Sequence, residues 1–212
     1  MKILLVASTV SEIDSTLHFL NKFSIEGVLI ESLITGVGMV NTTYHLSEKI
    51  RVFKPEFCIQ AGIAGSFTNK FSIGDVANVI HDVFSELGAE DGDDFITAKD
   101  LGLVPEISVK NDLTYTRFFN FFASLPTAKG ITVNTVHGST FSITKIVQRL
   151  QPEVESMEGA AFLYVCNLEK IPCVQIRSIS NVVERRKREN WNIPLAINQL
   201  NTYLIKFFKS LK

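Results

Sequence analysis

The chain has 212 residues, which suits one medium α/β domain spanning 1–212 with a sizeable buried core. Its formal net charge of −1 supplies no global basic field, so neither nucleic acid nor an anionic membrane is expected as a partner. No apolar run approaches the roughly 18 residues of a membrane helix. The opening Met1-Lys2-Ile3-Leu4-Leu5-Val6-Ala7 reads as a first strand rather than a leader, because Ser8-Thr9 and Glu12 follow at once, and the cytoplasm is the default location.

In chain order, residues 2–8 read as a strand and 11–22 as a helix, with Ser11 able to cap it. Residues 28–35 form a second strand, closed by Gly36-Val37-Gly38. Met39, Thr43, Leu46, Ile50 and Phe53 then share one helical face, and Pro55 stops that helix. Residues 57–61 are a strand ending in a glycine turn, Gly62-Ile63-Ala64-Gly65. A longer β-rich segment covers 76–86, the stretch 88–102 is acidic and turn-rich, and 111–124 has a helical pattern. A strand at 130–136 leads to the polar turn 137–140. A short strand at 153–157 leads into a helix at 159–168, and 173–180 is a buried strand. Asn192-Ile193-Pro194 opens the last helix, with Asn192 as cap and Ala196, Leu200, Tyr203, Leu204, Phe207 and Leu211 as its buried stripe.

This alternation predicts an α/β fold in three layers, a mixed but mostly parallel central sheet covered on both faces. Ligands of such sheets sit beyond the carboxyl ends of the strands. The polar and glycine-rich stretches cluster there, at 8–12, 35–39, 61–65, 137–142, 156–159 and 180–191.

Metal and cofactor chemistry have little to stand on. Cys58, Cys166 and Cys173 are irregularly spaced among apolar neighbours and read as buried reduced thiols. His18, His45, His81 and His137 match no ligand spacing, and Asp91, Asp93 and Asp94 do not fit a calcium loop. No metal and no cofactor are expected. Phe118, Phe119, Phe121 and Phe122 wrap more than one helical face, which serves either a core or a subunit interface.

Four constellations could carry chemistry. In Glu155-Ser156-Met157-Glu158-Gly159-Ala160-Ala161 a carboxylate at a strand-to-helix junction could accept two hydrogen bonds, or simply favour a helix N-terminus. In Arg177-Ser178-Ile179-Ser180-Asn181 a buried strand ends in an amide that could read a base edge, or merely close a turn. Glu12, just past the first strand, could hold and deprotonate a water, or suit the first turn of a helix. The two glycine turns could bring backbone N–H groups to a ligand, yet neither contains the Arg or Lys that a phosphate dianion usually calls for. Water is therefore the expected nucleophile.

Together, the order Glu12, Gly62–Gly65, Phe141, Met157-Glu158 and Ser180-Asn181 resembles the nucleoside phosphorylase and nucleosidase superfamily over essentially the whole chain. Three further stretches resemble its futalosine-hydrolysing branch: Gly36-Val37-Gly38-Met39-Val40-Asn41-Thr42, Glu86-Leu87-Gly88-Ala89-Glu90-Asp91-Gly92 and Arg188-Glu189-Asn190-Trp191. Ile63 departs from the pattern, standing where the methylthioadenosine enzymes tend to have Ser.

The resemblance implies a small purine nucleoside as partner, cleaved at its N-glycosidic bond, and a homodimer or higher homo-oligomer. It implies that Glu158 binds the ribose hydroxyls and Met157 packs on the sugar. Phe141 would stack on the base, with help from Ser142, Ser180, Gly62, Ala64 and Gly65. Glu12 would activate water, and Asn181 would read position 6 of the base, its NH₂ donating to O6 of a 6-oxopurine. In the basic run 184–191, Arg185 or Arg188 would pair with the carboxylate of futalosine and Trp191 would cover its ring, against a plain solvated loop as the alternative. Other readings are a methylthioadenosine/adenosylhomocysteine nucleosidase, a phosphorylase, and a non-catalytic nucleoside-binding protein.

Overall fold

A computed structural model describes residues 1–92, 94–104, 109–110 (backbone only) and 118–212. The elements run β1 (Lys2–Ala7), α1 (Val10–Leu20), β2 (Leu29–Ile34), α2 (Met39–Phe53), β3 (Phe57–Ser66), β4 (Val76–Phe84), β5 (Gly88–Asp91) and β6 (Asp94–Thr97). There follow β7 (Val109–Lys110), α3 (Phe119–Phe122), β8 (Thr127–Thr132), α4 (Thr140–Leu150), β9 (Val154–Ser156), α5 (Gly159–Leu168), β10 (Cys173–Val182), a 3₁₀ turn (Arg188–Asn190) and α6 (Ile193–Lys209). Among the described residues no helix is long and apolar enough to cross a membrane.

The central sheet is mixed. Parallel pairs join β1 to β2 and β3, β3 to β10, β4 to β8 and β8 to β9, while β4–β10, β3–β9 and β4–β7 are antiparallel. The pairings β3–β10–β4–β8–β9–β3 run full circle, so five strands close a ring while β1 and β2 extend from β3 as a flap. One small apolar cluster takes Ala64, Ala77, Val79, Ala128, Val154 and Ile179, drawn from every strand of the ring. Such small side chains suit the interior of a narrow closed sheet.

Around the flap the three layers are plain. On one face α1 and α6 bury Ile13, Leu200, Leu204, Phe207 and Phe208 against β1, β3 and β10. On the other, α2 and α5 bury Leu46, Ile50, Phe53, Phe162, Leu163 and Cys166. Fully burying side chains of this size contributes about 1.5–3 kcal/mol each, which offsets the ordering of the chain.

Several local expectations need correction. The cap of α1 is Thr9, not Ser11: its N–H and Oγ donate to Glu12 Oε2 at 2.9 and 3.0 Å. On α2, Thr42 rather than Thr43 completes the buried stripe, and on α6 Asn201 and Phe208 join it. The acidic stretch forms a β5–β6 hairpin. Of the helix expected at 111–124, residues 111–117 lie outside the described residues, as does Asp93, and only Phe119–Phe122 are helical. Phe118 and Phe122 are core residues against Phe57 and Phe207, whereas Phe119 is exposed.

The largest correction concerns Gly62-Ile63-Ala64-Gly65. It is no turn: β3 runs straight through it to Ser66. The two glycines are needed for space. A Cβ on Gly62 would collide with the Arg177 guanidinium, and one on Gly65 would lie 2.8 Å from Val183 Cγ2.

Candidate active site

The site lies where β3 changes neighbours. Its first half pairs with β1 (to Gln60), its end with β9 (from Gly65), and between them the strand edge is left open. Side chains fill the gap. Glu12 Oε1 accepts from the Ile63 N–H at 3.3 Å, and Arg177 Nη1 reaches Ile63 O at 3.5 Å. Beside this fork a cavity of about 360 Å³ is lined by Glu12, Ala64, Gly65, Met157, Glu158, Ser180, Asn181 and Trp191 among others.

Glu12 sits in the first turn of α1, 8% exposed. Burial raises its carboxyl pKa above the usual value, while Arg177 and the Thr9 hydrogen bonds pull the other way. Glu158 sits at the N-terminus of α5, and its Oε1 accepts from the Gly38 N–H at 3.0 Å. Gly38 has φ 96°, a conformation that favours glycine, so the second glycine turn aims an amide at this carboxylate. Oε2 of Glu158 lies 3.5 Å from Arg177 Nη1.

Arg177 is the site's hidden charge, 1% exposed and set between Glu12 and Glu158. Behind it runs a buried polar chain. Arg177 Nε donates to Gln175 Oε1 at 3.0 Å, Gln175 Nε2 to Asp82 Oδ2 at 3.1 Å, and Thr132 Oγ to Asp82 Oδ1 at 3.0 Å. Gly159 has no side chain because a Cβ there would collide with Asp82 and Gln175. Sequence reasoning noticed Arg177 only as part of a motif and missed Asp82 and Gln175, whose polar atoms inside apolar strands were the available signal.

Asn181 owes its position to a bulge. β10 pairs Ile179 with Ala64 and Asn181 with Gly65, leaving Ser180 as an extra residue. Ser180 Oγ lies 3.2 Å from Ala64 O and 2.8 Å from Asn181 Oδ1, and Asn181 Nδ2 donates to Val182 O. On the other flank Glu155 accepts from His137, 2.7 Å from Nδ1 and 3.2 Å from the backbone N–H. Both residues line the cavity, and neither was given a task from sequence.

Five expected positions fall outside the cavity. Gly62 packs under Arg177. Phe141 is 70% exposed beneath the Lys145 ammonium and, with Ser142, lines a neighbouring hollow, so it does not stack in this cavity. Arg185, Arg186 and Arg188 are all exposed, and the one that lines the cavity is Arg186, its guanidinium 5.1 Å from the Trp191 ring centroid. The backbone explains the choice: the Arg186 N–H donates to Gly138 O at 3.1 Å, which fixes that residue against the site's rim.

Comparison with known proteins agrees with this fold. The model of the phosphorylase superfamily matches residues 20–211. The chain is 26% identical over 195 residues to a futalosine hydrolase of Thermus thermophilus, covering 86% of this chain and 82% of that one. It is 25% identical over 190 residues to a 5′-methylthioadenosine/S-adenosylhomocysteine nucleosidase of Halalkalibacterium halodurans, covering 84% and 79%. In fold it is similar to a Helicobacter pylori nucleosidase mutant solved with 5′-methylthioadenosine in its active site, with a TM-score of 0.81 at 20% identity over 99% of this chain and 97% of that one.

Proposed function

This chain belongs to the phosphorylase superfamily, and we propose that within it the protein hydrolyses the N-glycosidic bond of futalosine, releasing hypoxanthine. Its relatives by sequence are named as a futalosine hydrolase and a nucleosidase, and hydrolysis of a purine N-ribosyl bond is the activity they have in common. The observation that carries the choice of substrate is the company Asn181 keeps. It shares one cavity with Glu12, Glu158 and the Arg186–Trp191 pair. An amide suits a 6-oxopurine, since it donates to O6 and accepts from a protonated N7. A cation over an aromatic ring suits a carboxylated aryl tail.

The reaction passes through an oxocarbenium-like ribose and a departing purine. Glu158, held by the Gly38 N–H and Arg177, accepts hydrogen bonds from the ribose diol and stabilises the positive charge as it develops. Met157 packs on the sugar. Glu12 orients the water and takes its proton, and a carboxylate whose pKa burial has raised is a stronger base. Arg177 lies against Gly62, but two carboxylates flank it and it is 1% exposed, so it is not free to hold a phosphate. Water therefore remains the better nucleophile. The exposed apolar residues Val40 and Tyr44 on α2 fit association of the protein with a second copy of itself.

The test is chromatography of futalosine, inosine and methylthioadenosine after incubation with the protein, with and without phosphate. Free hypoxanthine from futalosine in the absence of phosphate is expected. Adenine from methylthioadenosine with futalosine left intact would overturn the substrate, and strict dependence on phosphate would overturn the reaction.

A further inference from the structure

Glu155 and His137 line the cavity but have no part in the steps above. The hydrogen-bond register shows where they stand. On β3, Gly65 is paired with Glu155 of β9 on one side and with Asn181 of β10 on the other. Paired residues of neighbouring strands send their side chains to the same face. Glu155 and Asn181 therefore rise on either side of a residue that has no side chain. Both lean inward: a Cβ on Gly65 would lie 3.2 Å from Asn181 Nδ2 and 3.6 Å from Glu155 Cγ. Val183 Cγ2 is nearer still, at 2.8 Å, so Gly65 is the floor of a slot walled by an amide, a carboxylate and an apolar methyl.

A 6-oxopurine carries a donor, N1–H, next to its O6 acceptor. A 6-aminopurine carries a bare acceptor at N1, next to its N6 donor. If Asn181 serves O6 and N7, the adjoining N1–H still needs an acceptor. Glu155 is 4% exposed, and His137 holds it with two donors, Nδ1 to Oε2 and the backbone N–H to Oε1. Each carboxylate oxygen keeps a further lone pair. We propose that Glu155, oriented by His137, accepts the N1–H of the bound 6-oxopurine and so determines specificity for that base. This rests on the purine-nucleoside reading above. Glu155 selects by rejection as well as by attraction, because the bare N1 of a 6-aminopurine would face a carboxylate with no proton between them.

The experiment compares kcat/KM for futalosine and its 6-amino analogue in wild type and Glu155→Gln, with circular dichroism to check the fold. Gln keeps an acceptor and gains a donor that can turn to a bare N1. The ratio favouring futalosine should fall tenfold or more. A folded variant with an unchanged ratio, or with equal losses on both substrates, overturns the proposal by reducing Glu155 to a structural role. A second measurement needs no variant: wild type should bind hypoxanthine at least tenfold more tightly than 1-methylhypoxanthine, which has no N1–H. Equal binding of the two overturns the proposal. Wild type inert towards both nucleosides, and binding neither base, would overturn the functional reading itself, and this inference with it.

Discussion

Glu12 joins two requirements in one residue, since the carboxylate that closes the first turn of α1 also faces the cavity. As a base it must be ionised, and burial raises its pKa above the ordinary value of 4.5. Activity should therefore fail on the acid side at a higher pH than an ordinary glutamate would give, read from the acid limb of kcat/KM against pH. Glu12→Gln and Glu158→Gln should each lower kcat by about two orders of magnitude or more; a folded variant with normal turnover would remove that residue from the mechanism. Asn181→Asp should move preference from 6-oxo towards 6-amino purines. A carboxylate opposite O6 leaves two acceptors facing each other, at a cost of about 1–3 kcal/mol, or roughly tenfold to a few hundredfold in the ratio of kcat/KM. An unchanged ratio would mean that Asn181 does not read position 6. At this scale the sequence was informative about residues whose chemistry is unusual for their setting, such as Glu158 before small residues and Asn181 at a strand end. It was silent about Asp82 and Gln175 and about the burial of Arg177, because a polar residue inside a strand does not announce which partner will bury it.

The β10–α6 connection shows how an element chooses among neighbours. Arg185, Arg186 and Arg188 stand in one irregular run, where no periodicity says which side chain turns inward. The selection is made by a backbone hydrogen bond to Gly138, a contact between segments far apart in the chain. Arg186→Ala should raise KM for futalosine about tenfold or more, through loss of a charge-assisted pair, and leave inosine nearly unaffected. Arg185→Ala and Arg188→Ala should change neither. Equal effects of all three would return the run to a solvated loop. The same limit explains the glycine segment of β3. Glycine commonly marks a turn, and the sequence does not tell a glycine required by its φ angle, such as Gly38, from one required by a neighbour's bulk, such as Gly62. Periodic helices were readable because burial repeats along them, and α2, α5 and α6 were found close to their ends.

For the whole molecule, the closed ring puts an ionisable group where little water reaches. Asp82 is 1% exposed, and burial lifts its pKa from 3.8 to about 6 despite hydrogen bonds from Gln175 and Thr132 and the charge of Arg177. A carboxyl whose folded pKa lies above its unfolded value holds more protons when folded, so its contribution is complete below about pH 4 and is lost as pH rises through about 6. Urea denaturation should show wild type losing on the order of 2–3 kcal/mol relative to Asp82→Asn between about pH 4 and pH 7. A difference that stays constant with pH would mean that Asp82 ionises alike in both states. The α/β class and the layers were legible from alternation alone. Ring closure was not, because the β3–β9 and β4–β10 pairings join segments about 90 or more residues apart and no local pattern encodes them.

The fork in β3 has one more consequence, and it is spectroscopic. Between β1 and β9 the Ile63 amide has a side chain for its partner, Glu12, and the Gly38 amide likewise has Glu158. A backbone N–H bonded to a carboxylate changes resonance frequency when that carboxylate gains a proton or turns to another donor. In a proton–nitrogen correlation spectrum the Ile63 signal should follow the ionisation of Glu12 and the Gly38 signal the engagement of Glu158 by a ribose. Each carboxylate at the centre of the site thus carries its own label, at natural sequence and without a probe attached.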